Sequence, residues 1–177
     1  MKKLTLPLTE KDIILLRAGD EVSLTGAMYT ARDQAHKKIA EAIAKRKKVP
    51  FVLKNAIIYY CGPTQAPKGK ALGACGPTTS SRMDVFTLAL LKAGLKGMVG
   101  KGGRSPQVRQ AIREHKAVYF LTYAGCAALL NRYVKKAEVV AFKELGPEAV
   151  YKLQVKDFPV IVGIDTGGTD VYKKRGI

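Results

Sequence analysis

The chain is short of cysteine, of acidic residues and of long apolar runs, and each shortage narrows what it can be. Cys61, Cys75 and Cys126 are an odd set with no Cys-x-x-Cys pair, which argues against a disulfide framework or a self-contained zinc site and predicts small buried thiols. No stretch approaches the ~18 apolar residues of a membrane span. The opening MKKLTLPLTEKD carries lysines without an apolar segment behind them, so it does not read as a signal peptide. The expectation is a cytoplasmic protein with no membrane partner. Acids number 14 against 31 Lys and Arg, a formal net charge of +17, and this imbalance calls for an anionic partner. The bases are spread along the chain, with short runs only at Lys45-Arg46-Lys47-Lys48 and Lys173-Lys174-Arg175, and no aromatic-bearing RNA-binding strand accompanies them. Steering of small anionic substrates, or docking to an acidic subunit, fits better than nucleic-acid binding.

At 177 residues, with 47% apolar and 25% charged side chains, the chain suits one globular domain, residues 1–177. Thr9 is placed to cap a helix over residues 10–17, and residues 21–26 alternate as a strand up to Gly26. A helix opens around Thr30-Ala31-Arg32-Asp33. A strand follows at 56–60, then a Gly/Pro-rich loop or wide hairpin over 62–69, with a second strand leading to Gly76. Next come a helix over 82–93, a strand at 95–99, and a helix capped by Ser105 and started by Pro106, ending near His115. Strands are expected at 118–121, 138–142, 151–155 and 160–164, with a small Ala-rich helix at 124–130 and a turn at 165–169. Strand and helix alternate in the middle, which implies an α/β sheet covered by helices.

Residues 76–84, GPTTSSRMD, hold four successive hydroxyls and an arginine just before an apolar helical run. Ser81 with Asp84 resembles a capping box. That accounts for one hydroxyl. Thr78, Thr79 and Ser80 remain, and Arg82 stands in a first turn, where the helix dipole disfavours a cation. The same stretch therefore fits either a helix start or an anion site built on exposed amides, hydroxyls and a guanidinium. Two more loops repeat the design, Thr30-Ala31-Arg32 and Gly100-Lys101-Gly102-Gly103. If the strands before them are parallel, all three lie at one sheet edge, where α/β folds bind ligands. The glycine spacing fits neither a P-loop nor a dinucleotide fingerprint. Three cations instead suit a ligand with more than one carboxylate, although Arg32 can equally pair with Asp33 and Lys101 can be a solvated loop lysine.

Thr30-Ala31-Arg32-Asp33-Gln34-Ala35-His36, Gly76-Pro77-Thr78-Thr79-Ser80-Ser81-Arg82-Met83, Val99-Gly100-Lys101-Gly102-Gly103 and Ala124-Gly125-Cys126-Ala127-Ala128 together resemble the C-terminal region, or separate beta subunit, of class I fumarases and L-tartrate dehydratases. The resemblance covers nearly the whole chain in the same order. It implies a swivelling β/β/α three-layer domain of an iron-sulfur hydro-lyase acting on a four-carbon dicarboxylate, with fumarate to L-malate placed first and tartrate second. It implies a 4Fe-4S cluster held by a partner alpha subunit, so that Cys61, Cys75 and Cys126 are not its ligands and this chain alone binds no metal. By the same resemblance Thr78 matches the catalytic base, and Arg32, Arg82 and Lys101 match the cationic groups that hold the substrate. His36, Thr79 and Gly102 are supporting candidates, though a histidine like His36 is more often simply packed. Two rivals stay open: a non-catalytic anion- or RNA-binding module, and a dicarboxylate sensor using the same clamp without chemistry.

Overall fold

The computed structural model describes residues 1–174; Arg175, the end of the last basic run, lies outside them. Among the described residues seven strands form one sheet: β1 (Lys2–Thr5), β2 (Glu21–Thr30), β3 (Ile57–Tyr59), β4 (Gly97–Gly100), β5 (Val118–Leu121), β6 (Val134–Ala141) and β7 (Val150–Ile164). The helices are α1 (Glu10–Ile13), α2 (Asp33–Ala44), α3 (Asp84–Lys92), α4 (Pro106–Glu114), α5 (Ala127–Asn131) and α6 (Val171–Lys174). The strand order is β1-β2-β3-β4-β5-β7-β6, and β2 pairs with β7 as well. Strands β1 to β5 run parallel, and β7 runs antiparallel to β2, β5 and β6. The ring β2-β3-β4-β5-β7 therefore closes on itself.

Residues that alternate along the short parallel strands divide between two cores. Ile57, Tyr59, Val99, Val118 and Phe120 point inside the ring, where they meet Leu24, Leu153, Phe158 and Val160. Ile58, Tyr60, Met98 and Tyr119 point outward against Ile39 of α2, Leu90 and Leu91 of α3, and Val108 and Ile112 of α4. With both faces covered, these strands read as continuous apolar runs, as buried parallel strands do. The architecture is α/β, with one strand wall, an apolar core, a second strand wall, a second core and a helical layer, in keeping with the β/β/α expectation.

Several boundaries move. Strand β2 continues through Gly26 to Thr30, because Gly26 sits at φ 129 and forms a bulge instead of a stop. The bulge is where β2 changes partner, from β1 at residues 22–25 to β3 at Tyr29 and Thr30. The two strands expected at 151–155 and 160–164 are one, β7. Asp157, at φ 55, kinks it opposite that bulge, and its amide donates to Thr25 Oγ1 at 3.0 Å. Helix α1 ends at Ile13, α2 starts only at Asp33, α5 starts at Ala127, and β6 begins at Val134. No strand forms before Gly76; the loop is pinched instead at Thr64, whose amide donates to Ala74 O at 3.0 Å.

A Cβ at Gly26 would stand 2.9 Å from both the Cβ and the carbonyl oxygen of Leu6. Positive φ adds strain for any L side chain. Gly26→Ala is expected to lower the unfolding free energy by about 2 to 4 kcal/mol, combining backbone strain with overpacking. Equilibrium urea denaturation measures it, and a change below about 0.5 kcal/mol would show that β2 does not need this bulge.

Candidate active site

The three cation-bearing loops leave the sheet at the carboxyl ends of β2, β3 and β4, and parallel pairing puts those ends side by side. Backbone bonds extend the pairing past the strands. Ala31 N donates to Tyr59 O at 3.1 Å, Tyr60 N to Val99 O at 2.8 Å, and Thr78 N to Tyr60 O at 2.7 Å. Thr78 is thus returned to the strand end that the chain left at Tyr60, seventeen or so residues of loop notwithstanding. Thr79 then forms a parallel bridge with Lys101, and Ser80 N donates to Lys101 O at 3.0 Å. These bonds bring Thr78, Thr79, Lys101 and Gly102 together. Thr78, Lys101 and Gly102 are half-buried and Thr79 is exposed. Gly102 adopts φ 79, a conformation that favours glycine.

Arg32 and Arg82 come together on Asp33. Arg82 donates from Nε to Asp33 Oδ1 at 2.9 Å and from Nη2 to Asp33 Oδ2, a two-point contact. That contact holds the Asp33 carboxyl below its usual range. Arg32 makes only longer ion contacts, Nε to Asp33 Oδ2 at 3.8 Å and Nη2 to Glu148 Oε1 at 3.6 Å. Its Nε is buried and has no hydrogen-bond acceptor. The Lys101 ammonium makes no ion pair among the described residues.

The helix-start reading of GPTTSSRMD is corrected. A 3-10 turn over Ser80–Met83 precedes α3, which opens at Asp84, and Ser81 is exposed. No capping box forms, because the Asp84 carboxylate is taken by Arg104 Nε at 2.6 Å and Ser105 N at 2.7 Å. Arg82 therefore sits in the turn before α3, and its charge is answered by Asp33. Sequence reasoning passed over Asp33 as the bridge, Glu148, Tyr119 and the buried Arg104, and gave Asp84 a different partner. Their positions are set by tertiary pairing, and nothing local marks them. Ser80 alone carried a signal, as a hydroxyl left over once the cap was assigned.

His36 is fully buried, with Nδ1 at 2.9 Å from Arg32 O one turn earlier. Burial lowers its pKa to about 4, and the Arg104 charge acts in the same direction. A neutral imidazole facing a carbonyl carries its hydrogen on Nδ1, so His36 donates to Arg32 O and fixes the start of α2. Its packed neighbours are Tyr60, 5.2 Å away between ring centroids, and Phe86 at 6.2 Å. His115 caps the end of α4. Cys61 and Cys75 are buried and Cys126 is half-buried. A hydrogen bond with Cys75, and then burial, push the Cys61 thiol up. Among the described residues no group of three or more His, Cys, Asp or Glu stands where it could hold a metal ion. Among the described residues no helix is long and apolar enough to cross a membrane.

Because the folded state keeps His36 neutral, its contribution to stability is complete above pH 6.5 and is lost as pH falls through that value toward about 4. The loss amounts to on the order of 3 kcal/mol by full protonation. Denaturation midpoints taken from pH 7 to pH 5, where most carboxylates stay charged, are expected to fall for the wild type. They should stay nearly level for His36→Phe, and equal slopes would remove the imidazole as the cause.

Residues 1–175 match the model of the family described as Fumarase C-terminus. A Methanocaldococcus jannaschii chain, provisionally named L(+)-tartrate dehydratase subunit beta, is 40% identical over 173 residues, covering 94% of this chain and 89% of that one. The L(+)-tartrate dehydratase subunit beta of Escherichia coli is 37% identical over 181 residues, covering 99% of this chain and 89% of its own length. The anaerobic class I fumarate hydratase of Escherichia coli is 40% identical over 155 residues, covering 86% of this chain but 28% of that enzyme. The chain thus spans most of the beta subunits it matches and under a third of the fumarate hydratases. With that family model matched over residues 1–175, the loops that meet at one sheet edge included, the chain belongs to the Fumarase C-terminus family.

Proposed function

We propose that this chain is the beta subunit of an iron-sulfur hydro-lyase that adds water to, or removes it from, a four-carbon dicarboxylate. Fumarate and L-malate are the first substrate pair and L-tartrate the second. Activity requires an alpha subunit, and a cytoplasmic location belongs to the same reading. One observation carries the ligand class. Arg32 has a buried Nε without an acceptor, Arg82 shares Asp33 with it, and the Lys101 ammonium makes no ion pair among the described residues, so the carboxyl ends of β2, β3 and β4 present cationic donors with spare capacity. Each charge-assisted bond from such a donor to a carboxylate is worth about 1.5 to 3 kcal/mol.

The 4Fe-4S cluster of the proposed enzyme does not fit the cysteines of this chain. Cys61 and Cys75 lie inside the apolar core, and no third ligating side chain joins them among the described residues. The alpha subunit holds the cluster on this reading. What this chain supplies is binding and proton transfer. Arg32 and Arg82 hold the carboxylates, and Lys101 faces the oxygen that enters or leaves. Thr78 Oγ1 takes the proton from the carbon beside a carboxylate during dehydration and returns it during hydration. A threonine hydroxyl is a poor base in water, and on this reading the charges of Arg32, Arg82 and Lys101 favour its negative form. The equal identity to tartrate dehydratase and fumarate hydratase chains supports the shared dicarboxylate chemistry and leaves substrate choice to experiment.

The test is anaerobic reconstitution with an alpha subunit, assaying fumarate hydration and tartrate dehydration separately. The wild-type complex is expected to turn over at least one of them. Thr78→Val, nearly the same in shape, should reduce kcat by 100-fold or more. Near-normal turnover would reject Thr78 as the base. Arg32→Met or Lys101→Met should each cost about 10- to 150-fold in kcat/KM at an unchanged melting temperature. Salt-dependent retention on RNA, together with no turnover of either acid, would favour a binding module instead.

A further inference from the structure

Lys101, Gly102 and Gly103 contribute no side chain to either apolar core, so burial does not order the loop they form. Its geometry comes from hydrogen bonds: Lys101 is held by Ser80, and both Gly102 O and the Ser80 hydroxyl meet one residue of β5 that no part of the proposed chemistry uses. We propose that Tyr119 is a positioning residue for Lys101, acting through the Ser80 hydroxyl and the Gly102 carbonyl; the inference rests on the dicarboxylate reading for its functional meaning.

Tyr119 is 1% exposed, and its Oη lies 2.8 Å from Gly102 O and 2.8 Å from Ser80 Oγ. A carbonyl oxygen only accepts, so the phenol hydrogen goes to Gly102 O, and the Ser80 hydrogen turns toward Tyr119 Oη. Ser80 Oγ is then free to accept the Lys101 amide, at 3.1 Å. The Lys101 carbonyl accepts from Ser80 N at 3.0 Å, so both backbone polar groups of Lys101 are held by Ser80. Ser80 lies two residues after Thr78, which ties the position of the ammonium to that of the proposed base. Burial pushes the Tyr119 phenol up, so it stays a neutral donor.

The latch is anchored from behind. Arg104, whose side chain is fully buried, stands 5.0 Å over the Tyr119 ring and 5.4 Å over the Tyr60 ring. It is itself held by Asp84 Oδ1 at 2.6 Å and by Thr87 Oγ1 at 2.8 Å. Arg104 directly follows Gly103, so the loop is fixed at its far end, in its middle by Tyr119 and at Lys101 by Ser80. Gly100 is part of the same device: a Cβ there would stand 2.0 Å from Ser80 Oγ and push the hydroxyl off its partners. A lysine on a flexible four-carbon stem needs such a fixed base, since displacement of about 1 Å at a reacting centre costs on the order of 100-fold in rate.

Tyr119→Phe keeps the ring and its stacking with Arg104 and removes only the hydroxyl. In the reconstituted complex it is expected to lower kcat by about 10- to 100-fold with KM changed less than threefold. Combined with Lys101→Met it should cost nothing further, because both changes remove one function; losses that multiply in the double variant would overturn the proposal. Amide hydrogen exchange in the full chain without its partner gives a reading independent of turnover. Exchange at Lys101 should accelerate at least tenfold in Tyr119→Phe, while the core amides of Val99 and Phe120 keep their protection. Unchanged exchange at Lys101 overturns the latch whatever the activity. If the wild-type complex turns over neither acid yet exchange accelerates, the latch stands and the dicarboxylate reading falls.

Discussion

The antiparallel return of β7 is the constraint on which the rest of the molecule depends. Four parallel strands from β2 to β5 leave two edges, and an open edge is both unpaired and free to shift. β7 closes both at once, pairing Val22 with Val160 and Met28 with Leu153 on one side and Phe120 with Val162 on the other. Closure creates the inner core and turns the helices outward, so that each crossover helix begins beside the carboxyl end of the strand before it. The site follows from that arrangement, because Arg32, Thr78 and Lys101 each stand within a few backbone bonds of a strand end.

Charge is organised around this edge in two different environments. Arg104 is sealed between aromatic rings with a carboxylate and a hydroxyl at hydrogen-bond distance, an arrangement that satisfies a buried guanidinium. Arg82 is about half exposed, and its pair with Asp33 is of the kind worth at most about 1 kcal/mol. The buried arginine belongs to the frame; on the proposed reading Arg82 and the half-buried Arg32 belong to the surface that meets a ligand. Composition alone does not separate them.

Local sequence carried the alternation of strand and helix, the exact span of β5, the Ser105 cap and the gathering of three cationic loops, because periodicity, glycine and proline are short-range signals. It misplaced the end of β2 and split β7, since Gly26 and Asp157 are bulge residues whose effect depends on the strand opposite. It gave Asp84 to Ser81 when the carboxylate had a stronger partner twenty residues away. It read Arg32 with Asp33 correctly as neighbours, but the sharing of Asp33 with Arg82, 49 residues on, is a property of α2 lying against the turn before α3. The hydroxyls of GPTTSSRMD were legible as an excess over capping needs; that Ser80 faces Tyr119 was not.

Arg32 makes the strongest physical case for a ligand at this edge. Its carboxylate neighbours lie at 3.6 and 3.8 Å, beyond hydrogen-bond length, and its Nε is buried without an acceptor. An unsatisfied charged donor of that kind costs about 1 to 3 kcal/mol or more. The cost persists because Asp33 is drawn to Arg82 and Glu148 to the amide of Gln34, at 2.9 Å. On the proposed reading the Arg32 guanidinium turns to meet an arriving carboxylate, which removes this penalty and displaces only a weak, exposed pair at Arg82. Binding is then favoured less by new attraction than by relief of a defect the fold already holds in place.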